Sequence, residues 1–284
     1  MKGKGSKGMR TNKWLHQTIV YALLLAGSLV MLVPFAWMLS TSLKESYQVF
    51  TVPVKWIPDP IRWDNYITTF TGLPFGRWLL NTLAVTVPNI IGTVLSCTVV
   101  AYGFARFKAK GKNMLFILML STMMLPTSVT MIPVFYLFKE LGWMNTLLPL
   151  IVPAFFGTAF YIFLLRQFFM TIPVEMEEAA KIDGASTLGI LVRIILPLTI
   201  PAIITVAILQ FNGVWNDFMT PLLYLNKPEL YTLALGINFF KSENNVQWNF
   251  LMTASVVTML PSLLFYFLGQ KYFVESITLT GMKG

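Results

Sequence analysis

Residues 175–197, EMEEAAKIDGASTLGILVRIILP, open with acids and small residues, turn at a glycine and close on a leucine-proline pair. The stretch holds four of the chain's twelve acidic residues, yet it lies between two long apolar runs. Pro173, just before it, suits the first turn of a helix, where a missing N–H costs little. Glu175, Glu177 and Glu178 follow at the helix end whose dipole favours negative charge. Gly184 is placed to cap that helix because glycine accepts positive φ. Ser186 or Thr187 can then cap a second helix running toward Pro197. The local expectation is helix, tight turn, helix, with Ala179 and Ala180 small enough for a partner to approach closely. A plain solvated linker needs none of this punctuation.

The surrounding composition sets the solvent. The 284 residues are 56% hydrophobic and 12% charged, with a mean hydropathy of +0.67. A soluble globular domain carries roughly twice that charged fraction. The pattern is that of an all-α polytopic membrane protein. A bilayer-crossing helix needs about 20 apolar residues, and six segments qualify: 18–40, 81–104, 114–137, 147–169, 198–222 and 249–269. Prolines inside them are tolerated where membrane helices pack together. The first run follows a basic tail but exceeds the ~7–15 apolar residues of a signal peptide, so it reads as a retained first span. Residues 1–76 then comprise the tail, the first span and a long outer loop. Residues 77–284 form the transmembrane core, with segment 173–197 and a C-terminal tail.

The net charge of +9 does not point to nucleic acid, because Lys and Arg sit in short clusters between apolar runs rather than on one face. With the N-terminus inside, fourteen of the 21 basic residues fall on inner segments and seven on outer loops. The positive-inside bias therefore places both termini, and segment 175–197, in the cytoplasm. The outer loop 41–76 carries Trp56, Trp63 and Tyr66, which suit headgroup level and also a docking surface for another protein. A lone Cys97 and a lone His16 leave no intrachain disulfide and no Cys- or His-cluster metal site.

Glu178-Ala179-Ala180, three residues, Gly184, nine residues, then Ile194-x-Leu196-Pro197 resembles the EAA motif of bacterial ABC importer permeases. FNGVWNDFMTPLLY (211–224) is similar to a helix-5 segment of the carbohydrate-importer branch. GQKYFVESITLTGMKG (269–284) is similar to the C-terminal tail of the smaller permease of maltose-type systems. Within that tail, Glu275-Ser276 stand where a nearby glycine is expected. The resemblance implies a type I ABC importer permease fold with six spans, in the bacterial cytoplasmic (inner) membrane. It implies that Glu178, Ala179, Ala180, Asp183, Gly184, Ile194, Leu196 and Pro197 couple the chain to an ATPase. The implied partners are a second homologous permease subunit, two copies of a cytoplasmic ABC ATPase that bind ATP and Mg, and an extracytoplasmic solute-binding protein. No cofactor is expected in this chain. In maltose-type systems the loop equivalent to 223–248 probes the binding protein, which places Asn238, Phe239, Phe240 and Lys241 at that contact. Interfacial packing accounts for the same residues equally well.

Polar residues at bilayer depth are costly and face a bundle interior or a water-filled path. Candidates are Asn81, Asn89 and Gln210, and the densest group is Asn212, Trp215, Asn216 and Asp217. An aromatic face with amide and carboxylate neighbours suits a sugar ring, and Asn212 and Asn216 share a helix face. The same residues also read as a cap or kink of helix 5, or as a contact with the partner permease. Asn81 reads as an interfacial hydrogen-bonding residue. No catalytic motif is present: the glycines at 3 and 8 are followed by Met9, where a phosphate-binding loop needs Lys. The expected activity is uptake of a sugar or oligosaccharide, powered by a separate ATPase. Import of another solute such as glycerol phosphate, or ion-driven transport, are the alternatives. No basic residue lies within helix 5, which favours a neutral substrate.

Overall fold

The structure, a computed structural model, describes the backbone of residues 5–241 and 246–281 and the side chains of residues 14–241 and 246–271. The basic residues of the N-terminal tail, and Glu275 and Ser276, lie outside the described side chains. Among the described residues the chain is helical, and its only strand-like feature is one antiparallel bridge between Lys241 and Val246. All six expected segments are helical, but only four are straight enough and apolar enough to cross a membrane as continuous spans. The other two are bent pairs.

Two compact units can be distinguished, one of residues Met1–Thr69 with Phe240–Val257, the other of Phe70–Phe239 with Thr258–Gly284. In the first, helix α1 (Gly5–Ser42) leaves every described side chain from Trp14 to Ala36 exposed. Such a helix is stable only in lipid or against another protein. Beyond it, the segment that follows α1 is built largely by hydrogen bonds rather than by regular structure. Asn65 Nδ2 donates to the Ser42 and Lys44 carbonyls at 2.9 and 2.8 Å, and Ser40 Oγ donates to the Trp56 carbonyl at 2.5 Å. The Lys44 ammonium is buried without a hydrogen-bond partner, 4.3 Å from the centroid of the Trp37 ring, and burial holds its pKa below the ordinary lysine value. A short helix, α2 (Asp64–Gly72), lies in the segment expected to be plain loop.

The second unit is organised on α3 (Phe75–Arg106). Next come α4 (Lys112–Ser121) and α5 (Thr127–Glu140), with a 99° bend between them where a single span is expected over 114–137. Pro126 sits at the N-cap of α5 in extended conformation, so the chain cannot continue the helix through it. Helix α6 (Leu148–Ile151), a 3-10 helical turn (Val152–Phe156) and α7 (Ala159–Phe169) form the next span. After them stand α8 (Glu175–Ile182), α9 (Thr187–Ile190), a π-helical turn (Leu191–Ile195) and α10 (Leu196–Leu198). Helix α11 (Ile200–Trp215) departs from that run at 80°. The span expected at 198–222 is therefore this bent pair, ending at Trp215, with Pro201 in the first turn of α11 where no N–H is missed. Short helices α12 (Met219–Tyr224) and α13 (Leu233–Gly236) precede the long α14 (Trp248–Gly281).

Helix α3 packs against α7, α11 and the 3-10 helical turn. The core where these meet includes Ala101, Leu165, Phe169, Ile195 and Val206, all buried, and Cys97, whose thiol sulfur accepts the Thr158 N–H at 3.3 Å. At the other end of α3, Trp78 is fully buried and donates its indole N–H to the Pro228 carbonyl at 2.8 Å. Asn81 Nδ2 donates to the Glu229 and Tyr231 carbonyls at 2.8 and 3.0 Å, and Thr82 Oγ1 accepts the Leu233 N–H at 2.8 Å. Gly236 closes this lattice by lying flat on the Trp78 ring. A Cβ there would stand 2.3 Å from a ring carbon. Gly236→Ala is therefore expected to cost about 1–3 kcal/mol by overpacking. It should lower the Tm of the solubilised protein, while Gly103→Ala, which meets nothing within 4 Å, should not.

Candidate functional site

Helix α8 begins two residues after Pro173, with Val174 at its N-cap, so the proline precedes the helix instead of entering its first turn. The Val174 carbonyl accepts the Glu177 N–H at 2.9 Å and the Glu178 N–H at 3.1 Å. The helix ends in a Schellman motif: the Ala185 N–H donates to the Ala180 carbonyl at 2.9 Å and the Gly184 N–H to the Lys181 carbonyl at 3.0 Å. Gly184 takes φ +82°, the left-handed region that the motif requires. Ser186 then caps α9, its Oγ accepting the Gly189 N–H at 3.1 Å. Local sequence rules thus reproduce the helix, turn, helix unit.

The motif residues divide into two sets. Glu178, Ala179, Asp183, Gly184 and Pro197 are exposed. Ala180, Ile194 and Leu196 are partly buried against the core of the α3 unit. One set holds the segment in place and the other is left for contact. Beside the exposed edge, Ile182 is 86% exposed and Leu188 67% exposed, large apolar side chains that water does not favour.

The three acids of the first turn look equivalent in sequence, but only Glu177 turns inward. Its Oε1 stands 2.5 Å from Arg106 Nε, in an ion pair whose side chains are 9% and 3% exposed. The contact is an ion pair without an aligned N–H···O bond. Its Oε2 lies 3.3 Å from the hydroxyl of Tyr102, which donates to it. Arg106 also donates from Nη2 to the Phe169 and Ile172 carbonyls, both at 2.8 Å. Those carbonyls belong to the end of α7 and the turn after it, where helix acceptors lack intrahelical donors. One guanidinium therefore ties together the end of α3, the end of α7 and helix α8. Nearby, Arg166 donates from Nε to the Phe104 carbonyl at 3.3 Å and lies 4.2 Å from the centroid of the Phe116 ring.

At the end of helix α11 and just beyond it the four candidates separate. Trp215 is buried, stacks on Phe211 at 5.2 Å and donates its indole N–H to the Thr258 carbonyl at 2.9 Å. Its face is covered by packing and offers no platform. Asn212 and Asn216 spend their amide N–H groups on the carbonyls of Ile208 and Asn212. Asn216 also ends the helix, as its C-cap. Asp217 alone turns to a cavity of about 270 Å³, where it joins Asn89, Gln210, Thr220 and Thr232. Asp217 Oδ1 accepts the Thr220 N–H at 3.0 Å, which starts α12. Asn89 and Gln210, singled out in the sequence as bilayer-depth polar residues, meet here: Gln210 Nε2 donates to Asn89 Oδ1 at 3.2 Å.

Residues 89–279 match the family model described as the binding-protein-dependent transport system inner membrane component. The chain belongs to this family. It is 35% identical over 249 residues to a probable ABC transporter permease protein of Pyrococcus horikoshii, covering 87% of this chain and 90% of that protein. It is 32% identical over 260 residues to the arabinooligosaccharides transport system permease protein of Bacillus subtilis, covering 90% and 92%. Its fold is similar to that of a chain in the crystal structure of a bacterial ABC transporter that imports the acidic polysaccharide alginate. The TM-score is 0.82 at 23% identity, over 96% of this chain and 99% of that one. The chain is thus a multi-pass membrane permease, a transport subunit and not an enzyme.

In this permease the candidates of loop 223–248 also separate. Phe239 is half-exposed and stacks on Trp78 at 5.7 Å, and Asn238 donates its amide to the Ala234 carbonyl at 3.2 Å. Phe240 is buried, 6.1 Å from the ring of Phe250. Lys241 forms the bridge to Val246. Sequence reading missed Arg106 because its place at the end of an apolar run is already accounted for by positive-inside bias.

Proposed function

We propose that this permease imports a sugar or oligosaccharide delivered by an extracytoplasmic solute-binding protein, and takes its energy from an ABC ATPase docked on segment 173–197. The supporting observation is the exposed edge of α8, with Glu178, Ala179, Asp183 and Gly184 facing outward while Arg106 fixes the opposite side of the helix. The carbohydrate assignment is supported by the arabinooligosaccharide relative and by the absence of Lys or Arg from α11. In this reading the permease pairs with a second homologous permease subunit and two ATPase copies, which bind ATP and Mg. It lies in the bacterial inner membrane with both termini in the cytoplasm. Asn238 and Phe239 are the outer-loop residues left for the binding protein. ATP favours the outward-facing state because the closed ATPase pair binds it more tightly there, and only such differential binding shifts the equilibrium. The α8 segment moves with its docking cleft and carries α3 and α7 with it.

Glu178→Lys tests the docking. Glu178 is exposed and outside the buried ion pair, so the variant keeps its fold. From gently solubilised membranes, the wild-type permease should co-purify with ATP-hydrolysing activity, and the variant should retain roughly a tenth of it or less, a loss of about 1.4 kcal/mol or more in docking. Equal ATPase recovery with both proteins would sink the proposed docking site.

A further inference from the structure

The cavity beside Asp217 holds more hydrogen-bonding capacity than the protein uses. Thr232 is 5% exposed and its hydroxyl has no partner. Gln210 spends its amide N–H on Asn89, and Asp217 spends Oδ1 on the Thr220 N–H. Among the described residues, no hydrogen bond is made to Gln210 Oε1, Asp217 Oδ2 or Thr220 Oγ1. Asn89, by contrast, is fully spent: it accepts from Gln210 and donates to the Val85 and Leu150 carbonyls. Buried polar groups in native proteins are paired with protein, water or a ligand. The buried Thr232 hydroxyl, together with the unspent oxygens of the partly exposed Gln210, Asp217 and Thr220 that line the same cavity, calls for a partner that supplies O–H or N–H groups.

The walls narrow the choice. Pro149, Leu150, Pro153 and Pro221 give flat apolar surfaces, and no Lys or Arg lines the cavity. One interruption of helical backbone flanks it, the break between α11 and α12 that carries Asp217. Non-helical backbone at bilayer depth persists only where it is buried in protein or lines a watered cavity. Its volume of about 270 Å³ is below the ~300–1,000 Å³ typical of pockets for drug-sized ligands, so it takes one ring, not a chain. The geometry points to a subsite for a single neutral sugar unit, whose hydroxyls donate to Asp217, Gln210 and the two threonines while its C–H faces meet the prolines. An acidic sugar is rejected, since the carboxylate of Asp217 stands in the cavity with no cation to offset a second negative charge. This assignment rests on the carbohydrate reading above and names the substrate class of that path.

Thr220 is half-buried and lines the cavity, so Thr220→Cys places a thiol at its wall, while the native Cys97 is wholly buried. The assembled transporter, without binding protein, is treated with N-ethylmaleimide, and the adduct at position 220 is followed by mass spectrometry. Arabinotriose or maltotriose should slow the adduct at least about fivefold, whereas a triuronate and ethanolamine should not. Adding Thr232→Val or Gln210→Ala should remove most of the protection, and Asp217→Asn should narrow the gap between neutral and acidic sugars. Protection by no sugar, or equal protection by the triuronate, would overturn the subsite and leave a cavity that holds water only. Stronger protection by ethanolamine would overturn the choice of a neutral ligand. Uptake of the same trisaccharides by the complete transporter is measured in parallel. Uptake without protection defeats the subsite alone, and absence of any sugar uptake defeats the carbohydrate reading with it.

Discussion

Arg106→Ala is expected to abolish transport and to loosen helix α8 from the membrane bundle. The substitution leaves Glu177 as a buried, uncompensated carboxylate, and breaking a buried pair on one side costs about 3–5 kcal/mol. It also strips a donor from each of the Phe169 and Ile172 carbonyls, leaving Phe169 only the Ile172 N–H at 3.3 Å. Because this guanidinium, with the Tyr102 hydroxyl beside it, bonds all three segments at one point, the loss falls on their mutual position. The Tm of the solubilised permease should drop and co-purifying ATPase activity should fall. Arg106→Lys keeps a charge but not the planar fork that serves a carboxylate and two carbonyls at once, so it should rescue only part. A double variant, Arg106→Met with Glu177→Met, separates folding from function. Replacing a buried ion pair by apolar side chains of similar size is often neutral or stabilising, so Tm should recover. If transport recovers equally, the pair serves stability alone. If Arg106→Ala changes neither Tm nor uptake, the clamp has no role in either.

How far the sequence carried this reading depends on the range of the interactions. The apolar runs were legible because bilayer thickness fixes their length, and the turn at Gly184 and cap at Ser186 because both are decided within a few residues. The bends before α5 and α11 were legible as prolines but not as angles, since a proline permits a kink and neighbouring helices decide its size. Trp215 shows a limit of a different kind. A tryptophan beside two asparagines has the chemistry of a sugar platform, but its indole N–H finds the Thr258 carbonyl, and only the return of α14 reveals that. Glu177 illustrates the same limit. Its neighbours Glu175 and Glu178 obey the same dipole preference, and nothing within α8 tells which of the three faces Arg106. The cavity was half-visible: Asn89, Gln210 and Asp217 were each marked as costly at depth, but their convergence needed the crossing of α3 and α11.

Gly184→Val should uncouple sugar uptake from ATP hydrolysis while the protein still folds and assembles. The argument rests on backbone conformation alone, because a Cβ at this position meets no atom within 4 Å. At φ +82° an L-residue costs roughly 1–2 kcal/mol, and a β-branched one is a genuine outlier there. Valine relieves the strain by leaving the left-handed region. That breaks the bonds from Ala185 and Gly184 to the Ala180 and Lys181 carbonyls and tilts the exposed edge at Glu178, Ala179 and Asp183. Helix α8 remains anchored through Glu177, so stability falls little and the defect lies in how docking is transmitted. The expected order of sugar transported per ATP hydrolysed is glycine, then asparagine, alanine and valine, since asparagine visits the left-handed region most readily after glycine. That order separates two explanations. If the site only needs room for a docked subunit, alanine should outperform asparagine, because it is smaller. Finding alanine better than asparagine in reconstituted vesicles would refute the conformational account, and the reverse order would show that the turn at Gly184 sets the coupling.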